Sequence, residues 1–267
     1  MLILDINKVS KDFGYGPIFE ELSFSLNEGE RISIIGPNGG GKSTLLKMIA
    51  QIEKCDSGTI SIKKDARVAY LDQTSPDQKD DRIVEDILRD GFAELLKIEN
   101  EINRVYEKMG TVSSPEDYNR MANRVSTLQQ RFQDSGGYEI DTEINMVCSG
   151  LLIREEMRHQ NYNSLSGGEK TLVHLAKGLL QKPDLFLLDE PTNHLDVKRI
   201  EWLENYIKTF KGSVVIVSHD RRFLDNVSSK LLEIDNGEAT VYNTNYSGYL
   251  IEKERRYNQL MENWVEQ

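Results

Sequence analysis

Apolar positions along the chain fall into three regimes. Up to about residue 73 they form short runs separated by turn residues, at 3–9, 24–26, 32–35, 58–62 and 67–71, with Asn27-Glu28-Gly29 as one of the turns, and this pattern predicts strands. One helical stretch, Ser43-Thr44-Leu45-Leu46-Lys47-Met48-Ile49, interrupts them. From about 81 to 180 the spacing turns helical, and from 185 to 242 apolar runs alternate with helical segments. That order predicts an α/β domain with an antiparallel β part, a sheet core and a helical part.

The helical part is longer than a simple connection requires. Gln73 and Leu165 are 92 positions apart (165 − 73), whereas three helices of about 12 residues with about 5-residue loops need only about 50. Val84, Leu88, Leu95, Ile98, Ile102, Val105 and Met109 follow a three/four alternation broken once at Gly91, and Tyr118, Met121, Val125, Leu128 and Phe132 continue it. Between the two runs Gly110 stops one helix, Ser114 caps the next and Pro115 occupies its first turn. Residues 92–134 are therefore expected to form an inserted antiparallel hairpin. Its end carries Arg104, Lys108, Arg120 and Arg124, within a segment of seven acids and six bases, which on its own also fits an ordinary solvated helix face.

Composition narrows the class. The net charge of −11 excludes non-specific nucleic-acid binding by the whole surface, so any RNA contact is local. No apolar run approaches the ~20 residues of a membrane span. Cys55 and Cys148 are far apart, with no C-x-x-C spacing, so neither a disulfide framework nor a zinc site is suggested and a cytoplasmic location is expected.

Candidate chemistry begins at Gly36-Pro37-Asn38-Gly39-Gly40-Gly41-Lys42-Ser43-Thr44, which fits G-x-x-x-x-G-K-[ST] between an apolar strand and a helix. Glycines there let backbone N–H groups curl around phosphate oxygens, and the helix N-terminus adds partial positive charge. Lys42 can reach the terminal phosphates and the Ser43 hydroxyl can ligate Mg²⁺. Farther along, Asp189, Glu190 and His219 each follow a buried-type apolar run, and ligands of open parallel sheets bind beyond such carboxyl ends. Asp189 there can hold Mg²⁺, and Glu190 can orient and deprotonate a water. Ser218-His219-Asp220 looks superficially like a hydrolase triad, but consecutive residues at a strand end point in different directions.

Taken together, in this order, the motifs resemble the ATP-binding-cassette (ABC) ATPases. Leu165-Ser166-Gly167-Gly168-Glu169 is similar to their LSGGQ-type signature, although Ser166 with Glu169 is also an S-x-x-E capping box. Residues 185–190 resemble the Walker B strand, and 214–220 the switch-histidine segment. Gln73 matches the glutamine that contacts Mg²⁺ and water, and Phe13, with Tyr15 in reserve, the aromatic that stacks on adenine. Pro191-Thr192-Asn193-His194-Leu195-Asp196 and Ser218-His219-Asp220-Arg221-Arg222-Phe223-Leu224-Asp225 further resemble the ABC-F subfamily, soluble two-cassette proteins that act on the ribosome.

The resemblance implies a P-loop ABC-type nucleotide-binding domain over residues 1–245, with the 92–134 hairpin as an arm and 246–267 as the start of an amphipathic linker helix in a longer chain. ATP and Mg²⁺ are the implied cofactors. Phe13, Gly36, Asn38, Gly39, Gly40, Gly41, Lys42, Ser43, Thr44, Ser166, Gly167, Gly168 and Glu169 are the implied nucleotide contacts. Ser43, Gln73 and Asp189 are the implied metal contacts, and Glu190, His219 and Gln73 the catalytic set. The implied partners are a second cassette, in the same chain or in a head-to-tail homodimer, and ribosomal RNA or tRNA through arm and linker, with no membrane insertion. The ATPase subunit of a membrane transporter is the alternative.

Overall fold

The computed structural model describes residues 1–14, 16–72, 79–235 and 237–265, with side chains through 259. They form two compact units, residues 1–75 with 182–267, and residues 76–181.

In the first unit, strands β1 (Leu2–Asp12), β2 (Pro17–Asn27) and β4 (Ser57–Ile62) make an antiparallel sheet in the order β2-β1-β4. β2 is longer than the run at 24–26 suggests, because Glu20 and Glu21 interrupt an alternation that resumes at Leu22 and Phe24. The second sheet contains β3 (Arg31–Ile35), β5 (Val68–Leu71), β6 (Leu185–Asp189), β7 (Ser213–Val217), β8 (Lys230–Asp235) and β9 (Glu238–Tyr242), in the order β5-β6-β7-β3-β8-β9. All its pairings are parallel except the β8–β9 hairpin. Every residue of β6 and β7 is buried, as parallel strands covered on both faces require. Helix α1 (Lys42–Ile49) joins both sheets in one core, its Leu45, Leu46, Met48 and Ile49 packing with Ile3, Leu4, Ile32, Ile34, Leu187 and Val215. Helices α8 (Val197–Thr209), α9 (Arg221–Val227) and α10 (Tyr246–Val265) complete the unit.

The second unit is helical: α2 (Val84–Arg89), α3 (Ala93–Met109), α4 (Pro115–Asp134), α5 (Ile140–Gly150), α6 (Glu155–Arg158) and α7 (Gly167–Leu180). The break at Gly91 falls in a 3₁₀ turn between α2 and α3; a Cβ there would lie 2.8 Å from that of Leu180. α3 and α4 pair antiparallel through Ile102, Val105, Val125, Leu128 and Phe132. Ser114 accepts a hydrogen bond from the Asp117 N–H, with Pro115 in the first turn. The seam does not extend to the tip as the alternation suggests: Tyr118 is exposed. Two of the four basic residues near the tip are also tied down, Arg124 to Glu101 and Arg120 to Asp117.

α10 packs on its unit through Tyr249, through Lys253 paired with Glu233, and through Arg256, 4.6 Å from the Tyr242 ring centre. Along the amphipathic helix expected over 246–267, Tyr249 is buried and Tyr246 half-buried, whereas Leu250, Lys253 and Tyr257 are exposed; Leu260, Met261 and Trp264 lie beyond the described side chains. No helix among the described residues is long and apolar enough to cross a membrane.

Candidate nucleotide site

The phosphate-binding sequence lies where β3 leaves the sheet. β3 is central, paired with β7 through Ile32↔Val215 and with β8 through Ile34↔Leu232, so its end is fixed on both sides. Two glycines are sterically required. A Cβ on Gly36 would strike the Ile234 carbonyl, and one on Gly41 would strike Ile18 and come 2.6 Å from the Phe19 ring. Gly41 also adopts φ +83° as the residue before α1, a conformation that L side chains avoid. α1 therefore begins without a side-chain cap and without an acid in its first turn. Its first N–H groups have no local side-chain acceptor and point where an anion can bind.

Lys42 is 8% exposed, and its ammonium donates to the Gly36 and Pro37 carbonyls at 3.0 and 2.8 Å. Burial pulls its pKa down against the opposing pull of Glu190 and Asp189. Asp189, 1% exposed, ends β6. Burial pushes its pKa up, while hydrogen bonding to Ser43 works the other way. Glu190, 6% exposed, follows with φ +51°, a left-handed conformation of the kind that persists only when surroundings enforce it. Its N–H donates to the Val217 carbonyl at 2.8 Å, which fixes it to β7. Its carboxylate accepts the His219 N–H at 3.1 Å, with His219 Nε2 3.4 Å from Oε1. Burial raises the Glu190 pKa too.

Asp189 Oδ1 and Glu190 Oε1 are buried oxygens without a hydrogen-bond partner. Two such oxygens on adjacent carboxylates are costly to leave unsatisfied, and this arrangement fits a hydrated divalent cation and a water held against bound phosphates. One carboxylate of this kind with a serine hydroxyl suits Mg²⁺, which is bound by one or two carboxylates together with substrate oxygens and water.

His219 projects with its side chain 63% exposed. Ser218 and Asp220 do not join it as a triad: Ser218 Oγ bonds Thr192 Oγ1 and the Asp220 N–H, and the Asp220 carboxylate accepts the Phe223 N–H to cap α9. Phe13 is half exposed, with the Lys11 ammonium 4.8 Å from its ring centre. Asn38 and Gly39 lie exposed in the loop, and Gly40, Ser43 and Thr44 are half-buried. Gln73 and Tyr15 lie outside the described residues.

The signature segment belongs to the helical unit. Ser166 and Glu169 form a reciprocal capping box at the start of α7, the Ser166 N–H donating to the Glu169 carboxylate at 2.8 Å and its hydroxyl at 2.6 Å. The Glu169 carboxylate is thereby engaged with the cap and its pKa held down. Ser166 and Gly167 are exposed, with Gly168 half-buried.

One neighbour was not legible in the sequence. The Tyr70 hydroxyl donates to Asp189 Oδ2 at 3.4 Å. Only the β5–β6 register, Tyr70↔Leu187, brings it there, and nothing in an isolated Val-Ala-Tyr-Leu run signals that pairing.

The profile of the family described as ABC transporter matches residues 19–193. An uncharacterized ABC transporter ATP-binding protein, YfmM of Bacillus subtilis, is 36% identical over 250 residues, which are 94% of this chain and 48% of that protein. The energy-dependent translational throttle protein EttA of Mycobacterium tuberculosis is 35% identical over 255 residues, 95% of this chain and 44% of that protein. The chain thus spans somewhat less than half the length of these relatives. A solved ATP-binding subunit of an ABC transporter superposes with a TM-score of 0.67 at 20% identity, covering 99% of this chain and 98% of that one; at that identity the likeness establishes the fold.

Proposed function

Because the chain belongs to the ABC transporter family of ATP-binding-cassette ATPases, we propose that it binds and hydrolyses Mg-ATP as one cassette of an ABC-F pair acting on the ribosome in the cytoplasm. The observation that carries the nucleotide chemistry is the buried Asp189–Glu190 pair with two oxygens that accept no hydrogen bond, in the same unit as Lys42 and the uncapped start of α1. Mg²⁺, when bound, neutralises phosphate charge. The backbone N–H groups of 39–44 and Lys42 orient the phosphates; Ser43 and Asp189 would hold the metal, and the resemblance adds Gln73 to that set. Glu190, its carboxylate made more basic by burial, takes the proton of the attacking water, while His219 polarises the terminal phosphate. Phe13 stacks on the base. Ser166, Gly167 and Gly168 act on nucleotide held by a second cassette, so full activity needs a partner.

The ribosomal reading is supported by the α3–α4 hairpin, by Asn193-His194 before Leu195-Asp196, and by similarity to a protein named as a translational throttle. Relatives named as transporter ATP-binding proteins favour a transporter subunit instead. Sedimentation with purified ribosomes separates the two. The protein carrying Glu190→Gln should pellet with ribosomes in Mg-ATP and be released when ATP is omitted. Pelleting that is absent, or the same with and without ATP, would remove the ribosomal assignment and leave the cassette chemistry standing.

A further inference from the structure

A cavity of about 790 Å³ opens at the amino end of the parallel strands, lined by the turns that lead into β3, β5, β6 and β7. The nucleotide loop leaves the opposite end of β3, five residues away, or about 17 Å at ~3.3 Å per residue. The cavity is therefore separate from the nucleotide site.

Its charge runs against that of the chain. Lys63, Lys64, Arg67, Lys182 and Lys211 line it with only Glu28, Asp65 and Asp184 opposing them, a local balance of 5 − 3 = +2 on a chain of net charge −11. Lys63 is paired with Glu28 at 2.6 Å and Arg67 with Asp184 at 3.5 Å. Lys64 and Lys211 are exposed and have no ion-pair partner among the described residues. Two residues of these turns, Asp65 and Lys182, adopt left-handed φ. Lysines scattered over turns are ordinary solvated groups; five bases converging on one concavity of an acidic protein concentrate positive potential where the remaining surface repels polyanions.

The aromatic wall indicates how a polyanion is read. The two rings that line it, Tyr206 and Phe210, stack at 6.1 Å, and behind them Trp202 lies 5.4 Å from Tyr206 and Phe186 6.3 Å from Phe210. These rings are engaged with one another, so the cavity offers cations rather than a base-stacking platform, and recognition falls on phosphates and is independent of sequence.

We propose that this amino-end cleft is a second RNA-binding site, which grips the phosphodiester backbone of ribosomal RNA through Lys64 and Lys211 with Lys63, Arg67 and Lys182 around them. The proposal rests on the ribosomal reading above. Its test combines Lys64→Glu and Lys211→Glu in the protein carrying Glu190→Gln, pelleted with ribosomes in Mg-ATP across a salt series. Binding at low salt should weaken by about tenfold or more. The log–log salt slope should become shallower by about 1.4 to 1.8, from two lost phosphate contacts at about 0.7 to 0.9 each. In an otherwise unchanged protein the same pair should leave ATP hydrolysis intact. Equal binding and an equal slope in a parent that pellets would overturn the cleft and spare the ribosomal reading, whereas a parent that never pellets would overturn both. A benzophenone amino acid at position 64 supplies an independent readout: crosslinks to RNA support the site, and crosslinks confined to ribosomal proteins sink it.

Discussion

Replacing Glu190 with Gln should stop turnover and, at neutral pH, make the folded cassette more stable. Glu190 is 6% exposed, one of its oxygens has no hydrogen-bond partner, and burial raises its pKa. An unsatisfied buried polar group costs about 1–3 kcal/mol; attraction to Lys42 and His219 offsets part of this. Glutamine keeps a carbonyl oxygen for the His219 N–H, bonded at 3.1 Å in the parent, and removes the charge. The net gain should be about 1 kcal/mol, or roughly 2–4 °C in a chain of this size. The sign follows from linkage: a carboxyl whose folded pKa lies above its unfolded value contributes stability below the unfolded value, near 4.3, and loses it as pH rises through the folded value. The advantage of the variant should therefore be largest at pH 7–8 and vanish near pH 4. Thermal unfolding without nucleotide across that range measures it, alongside phosphate release with a competent partner cassette, which should fall by roughly 10²-fold or more. A variant less stable than the parent at pH 7.5, or a gain independent of pH, would refute the burial argument; near-normal turnover would remove Glu190 as the base.

Lys42→Ala should abolish measurable ATP binding by calorimetry, because bound polyphosphate loses its principal cation at a cost of several kcal/mol; unchanged affinity would take Lys42 out of the site. The chain alone should hydrolyse ATP slowly, with specific activity rising with protein concentration if it self-associates, so high activity independent of concentration would contradict the need for a second cassette. Deleting residues 105–124 and closing the helices with a Gly-rich turn should leave ATP affinity intact and reduce ribosome pelleting. Reversing Arg104 and Lys108 should weaken pelleting more than reversing Arg120 and Arg124, whose charges are paired with Asp117 and Glu101; equal effects would show that those pairs open on binding.

Much of the fold was legible because local rules and tertiary packing agree. Leu185–Leu188 of β6 and Val214–Val217 of β7 are continuous apolar runs, and both strands are buried throughout. Ser114, Pro115 and the Ser166–Glu169 box mark helix starts by hydrogen bonds that need only three or four residues. What escaped needs distant partners. The full length of β2 depends on pairing with β1, which makes a strand of a segment containing Glu20 and Glu21. The free end of the α3–α4 seam shows at Tyr118, where periodicity continues but the partner face does not cover the ring. Tyr70 reaches Asp189 only through sheet register, and the basic cleft collects turns from four places that sequence order keeps apart.

The nucleotide loop stands out by the rules it breaks. α4, α7, α8 and α9 each begin with a Ser or Asp whose side chain accepts from the first turn, and α2, α3, α5 and α6, which lack such a cap, carry acids there, whereas α1 begins after a left-handed glycine with neither. A cap at that position would occupy the N–H groups a phosphate needs. Likewise, Leu185 to Leu188 satisfy burial with apolar side chains, and the strand then ends in two carboxylates that burial penalises, the second with backbone at φ +51°. Each departure costs stability on its own, and all of them occur in one unit, at the carboxyl ends of β3 and β6, the two strands that flank β7. A bound anion and cation would satisfy the free N–H groups and the oxygens that accept no hydrogen bond together. Ligand binding should therefore stabilise this unit in particular, and amide exchange at 36–46 and 189–192 should slow in Mg-ATP more than at the amino-end turns 63–67 and 209–212. Uniform slowing across both ends of the sheet would mean that the protection comes from general tightening and not from groups left unsatisfied for the nucleotide.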